Sequence, residues 1–121
     1  LIAATVFVAS MLMNSACLLR QVLIEAEGES VAGKAAVAEV IRERSRRSGL
    51  GYCAVIAQPG QFGTRTIDPP PDVIFEAIVA MHSEPPCTGV HFDIRGNSWA
   101  RKMKVACIVG NHVVYENPKW N

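Results

Sequence analysis

The chain has 121 residues, of which 50% are hydrophobic and 19% charged. That length supports one domain around one core, and the composition excludes a disordered segment. A formal net charge of +1 excludes a global field that would draw the chain to nucleic acid or to an acidic membrane. No nucleic-acid partner is expected, and the chain is read as a monomer.

In chain order, the segment Leu1 to Leu19 contains no charged residue. It is just long enough to raise a membrane helix. Thr5, Ser10, Asn14 and Ser15 dilute its apolar character towards a signal segment or a reversible anchor. No basic stretch precedes it, and a chain opening on Leu rather than Met reads as truncated. Two readings therefore stand for residues 1–16: a signal or anchor segment associated with a membrane, or an N-terminal helix buried in the domain. Residues 17–121 form the domain itself.

A helical pattern runs through Leu18, Leu19, Val22 and Leu23 to about Glu25. Glu27-Gly28-Glu29 makes a tight connection, with Gly28 free to adopt angles other residues avoid. Ser30 is a good N-cap for a second helix that carries Val31, Ala35, Ala38 and Ile41 at helical spacing. Gly49 and Gly51 punctuate its far end. Arg42, Arg44, Arg46 and Arg47 form a basic run there, which suits anionic polymers or, more simply, a solvated helix C-terminus. After Pro69-Pro70-Pro71, Asp72 is placed to cap a third helix over Val73–Met81. Beyond Pro85-Pro86 the pattern turns extended: Val90-His91-Phe92, then Val105–Val109 and His112–Tyr115. Gly110-Asn111 between the last two, with glycine first, suits a type II′ hairpin. Helices followed by a small antiparallel sheet define an α+β domain.

Cys17, Cys53, Cys87 and Cys107 lack the paired spacing of a zinc site, so disulfides and an oxidising compartment are expected. The other reading is four buried thiols in a reducing cytoplasm. Three pairings are open and the sequence alone does not choose; the working expectation joins Cys17 to Cys53 and Cys87 to Cys107. His82, His91 and His112 match no zinc-ligand spacing, and no metal or cofactor is expected.

The central chemical feature is Glu25, which closes the apolar run Val22-Leu23-Ile24. A carboxyl where solvent is scarce holds a proton more readily, as a general acid near neutral pH requires. Glu27 and Glu29 stand close by; their plainer role is to favour the N-terminus of the following helix.

Leu19–Ser30, with Glu25-Ala26-Glu27-Gly28-Glu29 at its centre, is followed by Gly33–Ile41, then by Tyr52–Phe62 ending in Gln61-Phe62. Val90-His91-Phe92, Trp99 and Ile108–Tyr115 come last. In this order the segments resemble the spore-cortex-lytic type of cell-wall hydrolase, over nearly the whole chain. The resemblance implies a lysozyme-like fold, mainly helical with a small antiparallel sheet in the C-terminal half. It implies cleavage of peptidoglycan glycan strands between N-acetylmuramic acid and N-acetylglucosamine by lytic transglycosylation, without a cofactor. It places the catalytic carboxyl on Glu25 and substrate contacts on Glu29, Gln61, Phe62, His91, Trp99, Asn111, His112 and Tyr115. An extracytoplasmic location follows, in the periplasm or cell wall, as a phage lysin or a bacterial autolysin.

The chain departs from that pattern at identifiable places. Glu27 stands where the family has Arg, Gly63-Thr64 where it has Ser-Trp, and Glu43-Arg44 where it has Asn-Arg. Its asparagine-proline stretch before Trp99 is not recognisable here. Two competing readings remain: a peptidoglycan-binding module of the same fold with weak or no activity, and an amidase, which would need a metal or a reduced Cys53.

Overall fold

The computed structural model describes residues 1–95 and 103–120. Four helices precede three strands: α1 (Ile2–Ala26), α2 (Val31–Ser48), α3 (Tyr52–Ile56), α4 (Pro71–Met81), β1 (His91–Ile94), β2 (Lys104–Val109) and β3 (His112–Glu116). The strands form one antiparallel sheet in the order β1-β3-β2. This is the expected α+β architecture, with α3 as an added short helix in a segment that carries no clear helical period.

Helix α2 is the centre of the fold, because nine successive residues, Gly33 to Ile41, are all buried. One side, through Val37, Ala38 and Ile41, packs with Leu18, Val22, Leu23 and Ala26 of α1, Val55 of α3 and Ala77 of α4. The other, through Ala36 and Val40, packs with Val114 of β3 and with Phe92, Ala106 and Val109 around it. A helix covered by helices on one face and a sheet on the other needs small side chains throughout, which the alanines supply. Its ends follow the sequence reading: the Ser30 hydroxyl accepts the Gly33 N–H at 3.2 Å, and Gly49 takes the left-handed conformation (φ 73°) that ends the helix.

Several local expectations are corrected. Residues 2–16 and the helix predicted to end near Glu25 are one continuous α1, and residues 1–13 are exposed, which leaves the buried-helix reading of this segment without support. Gly28 does not use a positive φ, so the α1–α2 turn does not require its special freedom. Asp72 lies in the first turn of α4, and Pro70 occupies the capping position. In the hairpin, the positive φ falls on Gly110 (57°) and not on Asn111, the sign pattern of a type II′ turn. A bulge at Ala106 shifts the β2 register against β3 between Val105 and Cys107.

Both expected disulfides are present, Cys17–Cys53 joining α1 to α3 and Cys87–Cys107 joining the segment before β1 to β2. They close loops of 36 and 20 residues. Each should contribute about 3–4 kcal/mol by restricting the unfolded chain. Thiol titration of the unfolded, unreduced protein should find no free thiol, and Cys17→Ser with Cys53→Ser should lower unfolding free energy in urea by about that amount.

Candidate active site

The geometry around Glu25 starts from helical spacing. Gln21 lies four residues earlier, one turn back on the same face, so the two side chains meet. Gln21 is 4% exposed. Its amide Nε2 donates to Glu25 Oε1 at 2.9 Å and to the Gly63 carbonyl at 2.9 Å. The Gly63 N–H donates to the same Oε1 at 2.6 Å. A closed ring of hydrogen bonds thus fixes one carboxyl oxygen against the loop after α3. Oε2 has no hydrogen-bond partner among the described residues. A Cβ at position 63 would stand 3.1 Å from Oε1, so glycine lets the backbone approach the carboxyl this closely.

The half-buried Glu25 carboxyl opens into a cleft of about 370 Å³. Gly60, Gln61, Phe62 and Gly63 form one wall, Phe92, Asp93 and Ile94 of β1 the other, and His112 of β3 the end. The Phe62 and Phe92 rings lie 6.2 Å apart, and His112 meets the edge of Phe92 at 5.5 Å. An amide, two aromatic rings and two carboxylates around a polar cleft suit a carbohydrate, whose rings have apolar faces and hydroxyl edges.

The end of α1 that carries Glu25 must satisfy its unpaired carbonyls. Arg65 donates through Nε to Ile24 O at 2.9 Å and through a terminal nitrogen to Leu23 O at 3.3 Å. The same guanidinium pairs with Glu27 at 3.1 Å, which accounts for the reversed charge at that position. Glu29 N–H donates to Ala26 O at 3.0 Å. Lys34, only 1% exposed, sends its ammonium to the carbonyls of Glu27 and Glu29. Cations at a helix C-terminus are favourable, and here two of them come from distant or buried positions.

Arg44 does not belong to a solvated basic end. It is 3% exposed, and its Nε donates to Val90 O at 2.6 Å. Its terminal nitrogens reach Gln61 Oε1 at 3.2 Å and His91 Nδ1 at 3.3 Å. The guanidinium stacks 4.7 Å from the Phe62 ring and 5.3 Å from the Trp120 ring. Burial lowers its pKa to about 10, so it stays charged at neutral pH. The rest of the basic run is also engaged: Arg42 with the Met81 carbonyl, Arg46 with Glu39 and Glu43, and Arg47 with Glu43 and Asn117 O.

Of the residues singled out in the sequence, Glu25, Gln61, Phe62 and His112 line the cleft. Glu29 stands beside it and grips the hairpin: Oε1 accepts the Asn111 N–H at 3.3 Å and lies 3.2 Å from His112 Nδ1, without hydrogen-bond alignment to that ring. Asn111 takes part through its backbone. His91 sits against Arg44, and Tyr115 is 6% exposed within the sheet beside Val113. Trp99 lies outside the described residues. Gln21, Gly63, Arg44, Arg65 and Asp93 were not singled out as site residues. A glutamine one turn before Glu25 on an apolar face was the available signal for the first.

These features define the class of fold: a lysozyme-like domain with a carboxyl at the end of its first helix and a sheet closing the cleft. Two solved structures share its fold. Superposition on the catalytic domain of the Bacillus cereus SleB protein gives a TM-score of 0.67 over 86% of this chain and 91% of that one, at 21% identity. The catalytic domain of the germination-specific lytic transglycosylase SleB from Bacillus anthracis gives 0.66 over 83% and 91%, at 20% identity. No protein-family model and no curated protein sequence matches the chain.

Burial, and then the nearby charge of Arg44, lower the His91 pKa below its ordinary 6.5. Below that pH the unfolded chain takes up a proton that folded His91 resists, so folding stability falls with acidification through this window. Urea titrations at pH 7.5 and pH 5 should show that loss, and His91→Gln should show a smaller one.

Proposed function

We propose that the protein cleaves peptidoglycan glycan strands between N-acetylmuramic acid and N-acetylglucosamine, with Glu25 as its single acid/base catalyst. The observation that carries this reading is the asymmetric Glu25 carboxyl: Oε1 is fixed by Gln21 and Gly63, while Oε2 is left unengaged among the described residues. With both donors on Oε1, Oε2 is the oxygen left to deliver a proton in the acid step. That oxygen protonates the glycosidic oxygen, and the C1–O bond breaks with positive charge developing at C1 of the muramic residue. The resulting carboxylate then takes the proton of the same sugar's 6-hydroxyl, whose oxygen bonds to C1 and leaves a 1,6-anhydro end. The carboxyl finishes protonated and ready for another turnover. Gln61 is placed to read sugar hydroxyls and Phe62 with Phe92 to pack on ring faces. The activity named for the Bacillus anthracis neighbour supports the same reaction here.

Hydrolysis is the second reading, and Asp93 in the opposite wall favours it by offering another carboxylate to direct water. Two disulfides and the apolar N-terminal helix support work outside the cytoplasm, as a lysin or an autolysin.

Digestion of purified peptidoglycan, read by mass spectrometry, should give anhydro-muropeptides. Reducing muramic ends would establish hydrolysis instead, and free stem peptides would remove the glycan reading. Glu25→Gln should lower turnover by about 10²–10⁴-fold. A wall-binding module would leave both proteins equally inert. Gln21→Met keeps the side-chain volume but removes both donors, and should lower kcat about tenfold or more with KM little changed.

A further inference from the structure

We infer that the exposed N-terminal part of α1 is seated in a lipid bilayer, and that the unbroken helix holds the Glu25 cleft at a short, fixed height above it. Residues 1–13 are exposed, and the most apolar 18-residue stretch of the helix has a mean hydropathy of 1.9 with 6% of it buried. The apolar side chains cover every face. Val6, Phe7 and Val8 are consecutive, as are Met11, Leu12 and Met13, and all six are at least half exposed. A protein partner would need one apolar stripe and a polar back; a helix apolar all round fits hydrocarbon. Two of its polar groups are already engaged: Thr5 Oγ1 donates to Leu1 O at 2.9 Å, and Asn14 Oδ1 accepts the Cys53 N–H at 3.3 Å. The exposed residues 1–13 reach about 20 Å along the axis, which seats them within a hydrocarbon layer about 30 Å thick, while Leu18 and Leu19 belong to the domain core. Arg20, exposed, is the first charge.

The height follows from continuity. No break interrupts α1 between the exposed segment and Glu25, and the Cys17–Cys53 bridge fastens the helix to α3 where it enters the domain. Glu25 is nine residues beyond Ala16, so its Cα stands about 14 Å further along the axis. The cleft therefore meets the layer of wall next to the membrane. The anchoring itself does not depend on the proposed reaction.

The test uses the full chain and vesicles of phosphatidylcholine with phosphatidylglycerol. The protein should float with vesicles and stay bound in high salt, while Val8→Asp with Leu12→Asp should abolish flotation and keep the wild-type circular dichroism spectrum. Energy transfer from the tryptophans to a dansyl headgroup lipid should fall when a ten-residue Gly-Ser insert separates Ala16 from Cys17. Failure to float, or a lipid-free oligomer that shields these residues instead, overturns the anchoring. Unchanged transfer after the insertion overturns the fixed height. None of these readouts involves turnover, so peptidoglycan digestion stands or falls separately.

Discussion

The site depends on how α1 is stopped. A helix that ends beside a reactive carboxyl leaves carbonyl groups unpaired, and each must find a donor or remain a cost. Here Arg65 reaches back from the loop after α3, Glu29 folds its N–H onto Ala26, and the buried Lys34 ammonium reaches the turn. Three chain segments are thus bound to one helix end. That convergence fixes the position of Glu25 before any substrate contact is made. Lys34 is itself a core residue of α2, so the helix end and the centre of the fold cannot move independently.

A second polar centre organises the wall facing the carboxyl. Arg44 joins the Gln61-Phe62 loop, the Val90 carbonyl leading into β1, and the indole of Trp120. A guanidinium suits this position because its flat fork can donate in several directions while its faces stack on rings. Lysine would supply the charge but neither the fork nor the stack. Two buried cations from the same helix therefore divide the work, Lys34 ordering the α1 side and Arg44 the loop side.

Much of this was legible in the sequence, for specific reasons. Ser30, Gly49 and Gly110 announce backbone geometry through their own chemistry, and each performs the role its residue type favours. The apolar period before Glu25 placed that residue at the end of a core helix. The misread features share one cause. The fate of a charged or polar side chain depends on what lies across from it, which local pattern does not encode. Arg44 looks like the other arginines of the run Arg42–Arg47 until the sheet and Phe62 close over it. Gln21 looks like an ordinary polar residue until Gly63 arrives from 42 positions away. For the α1 N-terminus the sequence left an anchor and a buried helix open, because an apolar run reads alike in either setting, and the fold leaves it exposed.

The bridge between Cys17 and Cys53 also has a mechanical consequence. Glu25 and Gly63 are the two sides of one hydrogen-bonded contact in the cleft lining, and both descend from this one covalent joint, along α1 and along the segment following α3. A pull on the N-terminal helix therefore enters both sides together. Tension is shared between two strands of chain from a common root, so the carboxyl and the backbone that holds it are loaded together. The spacing between carboxyl and loop is protected against shear by a bond placed well away from it.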